Sequence, residues 1–222
     1  MIKLSRFLSL LLLLIFLTTF NPRFSSSNKS FIFPIKEIII ENTLALDQKL
    51  IINELHYLQG RNLFFLNLRE VKNSIMKFDF VSSFKIKKIY PNSIKIHIYE
   101  KTPVAIYIVK KNKFYLTEDG SLIKYLKLEK FNQLPLVFGK NIKFKEFFSN
   151  MKSISFPLEL IESLHYFEIG RWDIKLKNKK VIKLPVNNYT KKVKNFITIN
   201  KNKSFDKYSI FDYRINNQLI LK

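Results

Sequence analysis

Tyr90-Pro91-Asn92-Ser93-Ile94-Lys95-Ile96-His97-Ile98-Tyr99-Glu100-Lys101 decides the fold of the first half of the chain. Pro91, Asn92 and Ser93 make a tight connection. From Ile94 onward apolar and polar residues alternate, so Ile94, Ile96 and Ile98 share one face while Lys95, His97 and Tyr99 share the other. That period of two marks a half-buried strand. Just upstream, Ser82, Phe84, Ile86 and Tyr90 occupy alternate positions and supply a second strand. Further back the period lengthens. Leu68, Val71, Ile75 and Met76 predict a helix over 68–77, and Leu50, Ile51, Leu55 and Leu58 predict another over 47–58. Asp47 stands at the start of that earlier helix and Gly60 just past its end, where a left-handed cap residue belongs. Pro34 opens an extended segment, 35–42, with Ile38 and Ile40 on one face and Glu37 and Glu41 on the other. The order is strand, helix, helix, strand, strand. Two helices covering one face of a three-stranded sheet bury both apolar surfaces in two layers.

Downstream, 104–109 and 113–116 read as strands, Glu118-Asp119-Gly120 as a turn, and Ile123 as the start of a return strand. Segments 144–155 and 157–161 read as short helices. In Gly170-Arg171-Trp172-Asp173-Ile174-Lys175-Leu176-Lys177 the apolar residues Trp172, Ile174 and Leu176 point in while Asp173, Lys175 and Lys177 point out. Asn178-Lys179 turns the chain so that 180–184 pairs back. Val193, Phe196 and Ile197 mark a helix over 189–200, and 208–214 and 218–221 are the last strands.

At the N-terminus, Lys3 and Arg6 precede a run of about 14 largely apolar residues from Phe7 to Phe20, stopped by Asn21-Pro22. A spanning helix wants about 20 apolar residues. The run therefore reads either as the hydrophobic region of a cleaved signal peptide or as a short membrane anchor. Either one delivers the rest of the chain across a membrane.

The chain of 222 residues carries 39 Lys+Arg against 17 Asp+Glu, a net charge of +22. The excess is spread along the sequence: 4 basic and 0 acidic residues in 1–33, 11 and 7 in 34–101, 24 and 10 in 102–222. It makes a field rather than a site. Without cysteine, disulfide scaffolds, cysteine zinc sites and thiol catalysis are excluded. His56, His97 and His165 lack metal-ligand spacing. The four glycines fall at separate turns, so there is no phosphate loop, and no Gly-x-Ser-x-Gly elbow occurs. No catalytic, cofactor-binding or metal residues are expected, and the chain reads as no enzyme. Trp172 beside Lys175 and Lys177 reads as a core anchor or as an aromatic stacking platform.

Three phrases at their spacing resemble the FtsQ/DivIB family of cell division proteins, whose first domain is a POTRA domain. They are Gly60-Arg-Asn-Leu-Phe-Phe-Leu-Asn67, Tyr90-Pro91-Asn92-Ser93-Ile94-Lys95-Ile96, and Glu100-Lys-Thr-Pro-Val-Ala105. Leu134-Pro135-Leu136-Val137-Phe138-Gly139, Arg171-Trp172-Asp173-Ile174-Lys175-Leu176 and Phe211-Asp212-Tyr213-Arg214 resemble the family's second domain. Tyr90 stands where the family usually has Trp.

The resemblance implies an α+β protein. Its parts would be a short cytoplasmic tail (1–6), a transmembrane helix (7–20), a linker (21–33), a POTRA domain (34–101) and a mainly antiparallel β-domain with helices on one side (102–222). It implies a non-catalytic divisome scaffold of the inner membrane at the division septum, with its C-terminal region periplasmic. The expected partners are FtsB- and FtsL-type proteins, other division proteins through the POTRA domain, and the inner membrane; nucleic acid is not expected. The partner is expected to add a strand along the closing edge, at Arg214, Ile215, Asn216, Asn217, Gln218, Leu219 and Ile220. Arg214 would pair with a partner carboxylate, and Leu219 or Ile220 would fill a hydrophobic seat. The alternative is a basic periplasmic or membrane-surface binding module unrelated to division.

Overall fold

A computed structural model describes residues 2–19 and 32–222, the backbone alone at 2–6, 18, 19 and 141. The first helix, α1 (Ile2–Thr19), takes in most of the expected tail, 1–6. Its 18 residues rise about 27 Å, short of a hydrocarbon core of about 30 Å. Among the described residues no helix is long and apolar enough to cross a membrane. The transmembrane helix expected over 7–20 is therefore corrected to an apolar helix, exposed along Phe7, Leu8 and the run from Leu10 to Leu17. The expected linker, 21–33, lies outside the described residues except for Ile32 and Phe33.

The first folded unit follows the predicted order. It comprises β1 (Glu37–Glu41), α2 (Gln48–Glu54), α3 (Leu68–Ile75), β2 (Val81–Ile89) and β3 (Ser93–Glu100). β3 is central, parallel to β1 and antiparallel to β2. Ile94, Ile96 and Ile98 are fully buried against Ile51, Leu55, Val71 and Ile75 from the two helices. Asp47 caps α2 by accepting from the Lys49 N–H at 2.9 Å, and Asn67 caps α3 through the Arg69 N–H at 3.0 Å. Leu50, Leu68 and Met76 depart from expectation, because these helices turn them to solvent. Short helices bury a narrower stripe than helical spacing alone assigns.

The second unit is one sheet of nine strands. Its strands are β4 (Pro103–Val109), β5 (Asn112–Thr117), β6 (Leu122–Lys124), β7 (Leu136–Phe138), β8 (Ile161–Tyr166), β9 (Trp172–Leu176), β10 (Val181–Lys183), β11 (Ile210–Asp212) and β12 (Ile220–Leu221). They lie in the order β12-β11-β10-β9-β8-β7-β4-β5-β6, mostly antiparallel. Two parallel steps are made through helices, β7 to β8 through α4 (Phe144–Ser153) and β10 to β11 through α5 (Tyr189–Ile199). β7 and β10 run the same way and both steps move toward the same end of the sheet. Right-handed crossovers then place both helices on one face. That face is the core, with Phe147 stacked 4.6 Å from Trp172 and Phe196 edge-on to Phe211 at 4.9 Å. Trp172 is thus a core anchor rather than a stacking platform. The short helix expected over 157–161 is a single 3-10 turn, Leu158–Leu160, and β8 starts at Ile161. Gly139 ends β7 at φ +93, and a Cβ there would stand 2.1 Å from the Tyr166 carbonyl oxygen, so only glycine fits.

A third apolar cluster joins the two units. Phe80, from the turn before β2, packs with Ile106, Tyr115 and Ile123 of the second sheet and lies parallel to the Phe131 ring at 6.4 Å. Asp79 accepts a long hydrogen bond of 3.4 Å from the Lys124 N–H on β6, and Glu100 accepts from the N–H groups of Ala45 and Leu46 at 2.7 and 2.9 Å. Phe80→Ala is expected to cost about 3–5 kcal/mol in urea unfolding and to widen the distribution of inter-unit distances in solution scattering. An unchanged distribution would show that Phe80 does not hold the junction.

Candidate functional site at the closing sheet edge

The α5 crossover brings the end of the chain to the last position of the nine-stranded sheet. β11 lies parallel to β10 on one side and antiparallel to β12 on the other. Ile182, Phe211 and Leu221 form one row in register, and Lys183, Asp212 and Ile220 the next. The first row faces the helices, and Leu219 and Leu221 pack on that core. The second row faces away, leaving Ile220 exposed.

The main chain of β12 has a free side. Ile210 donates to the Lys222 carbonyl at 2.9 Å, and Lys222 donates to the Ile210 carbonyl at 3.1 Å. In an antiparallel pair the neighbouring residue turns its amide and carbonyl the other way. Leu221 therefore points both groups away from β11, at the open edge.

The expected site residues divide between a turn and this strand. Strand β11 stops at Asp212, so the closing strand expected over 208–214 has three residues. Arg214, Ile215, Asn216, Asn217 and Gln218 form the connection to β12, with Asn217 at φ +57 and Gln218 donating to the Ile215 carbonyl. β12 itself is two residues long, against the four expected over 218–221. Leu219 faces the core, so the exposed apolar groups are Ile215 and Ile220, 50% and 37% exposed.

Arg214 already has a carboxylate. Its Nε donates to both oxygens of Asp212 at 2.8 and 3.0 Å, and its Nη2 to Oδ2 at 2.5 Å. Its main-chain N–H adds a fourth bond to Asp212 Oδ1 at 3.1 Å. Asp212 is buried while Arg214 keeps an outer side in solvent. The fork holds the Asp212 carboxyl below the usual carboxylate range and raises Arg214 in return. Beside it opens a cleft of about 350 Å³, lined among others by Asn187, Lys192, Arg214 and Asn216 and by no carboxylate. Tyr213 forms part of its wall. Its buried hydroxyl donates to Asn195 Oδ1 at 2.9 Å, and burial pushes its pKa up to about 12. Lys192 and Asn187 were missed by sequence reasoning, because only the αL turn at Asn188 carries the start of α5 to the cleft. The Asp-x-Arg spacing was the one signal available.

Across the outer face the register continues as His165, Asp173, Lys183, Asp212. Asp173, expected to point out, does so but is nearly buried by its neighbours. Burial raises its pKa and lowers that of His165. Arg171 Nε and Asp173 Oδ1 sit 3.7 Å apart, both buried without a hydrogen-bond partner. His56 is exposed and His97 is 3.9 Å from Glu41. Among the described residues no cluster of His, Asp and Glu could hold a metal ion.

The fold defines a class: a POTRA domain followed by a helix-backed sheet whose last strand is an open edge. Comparison with known proteins agrees. Residues 33–101 match the POTRA domain, FtsQ-type, and residues 105–214 match the C-terminal domain of cell division protein FtsQ/DivIB. The chain is 28% identical over 196 residues, 86% of its length and 72% of the relative's, to a cell division protein FtsQ of Rickettsia bellii. It is 26% identical over 196 residues to the FtsQ of Rickettsia typhi, covering 86% and 73%. A cell division protein DivIB of Clostridium tetani is 31% identical over 116 residues, 52% of this chain and 43% of the relative. The chain belongs to the FtsQ/DivIB family of cell division proteins.

Asp212→Asn keeps the shape of the fork and removes its charge. Because the folded-state pKa of Asp212 is depressed, its contribution is present above the unfolded value of 3.8 and is lost as pH falls through the lowered value. The variant is expected to lose about 2 kcal/mol at pH 7, and the gap to the parent should close on acidification in a series of urea titrations.

Proposed function

We propose that this chain is a non-catalytic scaffold of the divisome, linking early division proteins to septal peptidoglycan synthesis proteins through periplasmic contacts. The observation that carries the reading is the open β12 edge beside a cleft that holds Lys192 and Arg214 and no carboxylate. Strand addition supplies main-chain hydrogen bonds, here to Leu221, while flanking side chains supply selectivity. In this reading an FtsB-type strand, presented with its FtsL-type partner, docks along β12. A partner carboxylate sits in the cleft on the outer side of the Arg214 fork, and partner apolar groups cover Ile215 and Ile220. Other division proteins contact the POTRA domain. The exposed apolar surface of α1 associates with the inner membrane and keeps the folded units on its periplasmic side at the septum.

A fluorescent protein fused to the N-terminus should form a band at the constriction site of dividing cells. Ile220→Asp combined with Ile215→Asp, both at exposed positions, should reduce co-purification of the FtsB–FtsL pair at least about tenfold, which is about 1.4 kcal/mol, with an unchanged urea midpoint. Uniform membrane signal, signal over the nucleoid, or undiminished co-purification would contradict the reading.

A further inference from the structure

The end of the POTRA domain where the chain enters it carries large apolar side chains in solvent. They are Ile32, Phe33, Phe64, Phe65 and Tyr90, between 40% and 79% exposed. Hydrogen bonds gather them at one place. The Phe33 carbonyl accepts from the Leu63 N–H at 2.8 Å, the Ile32 carbonyl accepts from Asn62 Nδ2 at 2.7 Å, and Lys88 Nζ donates to the Phe64 carbonyl at 2.8 Å. Phe33 meets Tyr90 edge-on at 5.3 Å, and Phe64 meets Phe65 edge-on at 5.1 Å. Leu63 and Leu66 take the inward places of their turn and pack on the domain core, which leaves the two phenylalanines between them outside. Asn62 Oδ1 fixes that turn by accepting from the N–H groups of Phe64 at 2.7 Å and Phe65 at 3.3 Å. Phe33 is held at φ +61, a left-handed conformation that a bulky residue adopts at a cost. The backbone here keeps rings out of the core.

An exposed apolar cluster on a fixed turn marks a contact surface. Its position names the contact. Only residues 20–31 separate it from α1, whose Phe7, Leu8 and Leu10 to Leu17 are also exposed. Twelve residues span at most about 43 Å, so a membrane that holds α1 stands at high effective concentration before this end of the domain. The side chains suit such a surface, since aromatic rings flanked by lysines settle at the boundary between headgroups and acyl chains. Lys36 and Lys88 are the flanking lysines, and the Lys88 amine already lies on the Phe64 carbonyl. Charge is close to balance here. Glu37 follows Lys36, and Glu70 pairs with Arg61 at 2.6 Å. What sets the cluster apart from the lysine-rich remainder of the chain is therefore apolar surface and not sign.

We infer that this end of the POTRA domain is a foot that rests on the lipid bilayer. Phe64 and Phe65 reach the acyl boundary, Tyr90 and Phe33 lie at headgroup level, and Lys36 and Lys88 face the phosphates. The inference rests on the reading that α1 associates with the membrane, and it adds a second, separate point of contact. It also gives the domain an orientation. β1 and β3 both begin at the foot, at Glu37 and Ser93, and the chain leaves for the second unit from the opposite end of β3, at Glu100. The eight residues of β3 rise about 26 Å, so a domain standing on its foot carries the start of β4 up to that distance further from the surface.

The test uses the full chain reconstituted with phosphatidylcholine vesicles whose acyl chains carry bromine near the headgroup. Trp172 is the single tryptophan and is buried in the core of the second unit, so an added tryptophan reports its own surroundings. Tyr90→Trp should be quenched at least about twofold by the brominated lipid. Leu44→Trp, at an 80% exposed position beyond the far end of β1, should not be. Phe64→Ser with Phe65→Ser, added to the Tyr90→Trp reporter, should abolish the quenching while the urea midpoint holds. Vesicle flotation of the same samples separates the two contacts. Flotation without quenching of the Tyr90→Trp reporter would overturn the foot and leave the α1 reading standing. Flotation lost in the Phe64→Ser, Phe65→Ser variant would overturn the α1 reading and leave the foot standing, and no flotation at all would overturn both. Quenching that requires anionic lipid or disappears in high salt would overturn the inference by giving the contact to the charge field. So would self-association through the aromatic cluster in place of lipid contact.

Discussion

A flat sheet has two ends, and each end leaves a row of backbone donors and acceptors without partners. In the nine-stranded sheet the two ends meet different fates. At β6 the POTRA domain stands against the edge, with Asp79 reaching the Lys124 N–H and Phe80 seated among Tyr115, Ile123 and Phe131. At β12 nothing in the described chain covers it, and Leu221 faces outward. The protein is thereby polarised: a closed end where its own domains join and an open end where a strand can be added. The Phe80 cluster makes the connection between the two units a packed junction instead of a bare linker.

Local chemistry shapes the open end. Lysine and arginine are abundant throughout the chain, and most exposed ion pairs, such as Lys140 with Glu168 at 3.1 Å, are worth little. The fork of Arg214 on Asp212 differs, since its carboxylate is buried and takes four hydrogen bonds from one residue. It fixes the exit of β11 and sets the guanidinium at the mouth of the cleft. The charge of +22 is thus background, and what distinguishes the proposed docking edge is that Arg214 and Lys192 stand beside unpaired backbone.

Much of the fold was legible in the residues. Strict alternation at Ile94, Ile96 and Ile98 revealed the central POTRA strand, and the Trp172, Ile174, Leu176 triplet revealed its counterpart in the second sheet, because both lie where one face is wholly apolar. The strand Ile161–Tyr166 was hidden. Ser163 and His165 face the polar side, a register shift between Ile161 and Ser163 breaks the alternation at Glu162, and the parallel neighbour β7 is only three residues long. The site was legible as a location and not as a geometry. Asp-x-Arg and a terminal apolar run pointed to the closing edge, but which of Leu219, Ile220 and Leu221 faces out depends on the bulk of the turn at Asn217, which no periodicity records. The contribution of Lys192 required the α5 crossover itself.

Strand addition at the closing edge depends on the outward main chain of β12. The most direct measurement is amide exchange at single-residue resolution on the full chain, alone and with the FtsB–FtsL pair. Leu221 should exchange rapidly alone and become protected in the complex, while Lys222, already bonded to Ile210, changes little. Leu221 exchanging at the same rate in both samples, with protection appearing elsewhere on the β-domain, would contradict strand addition at this edge.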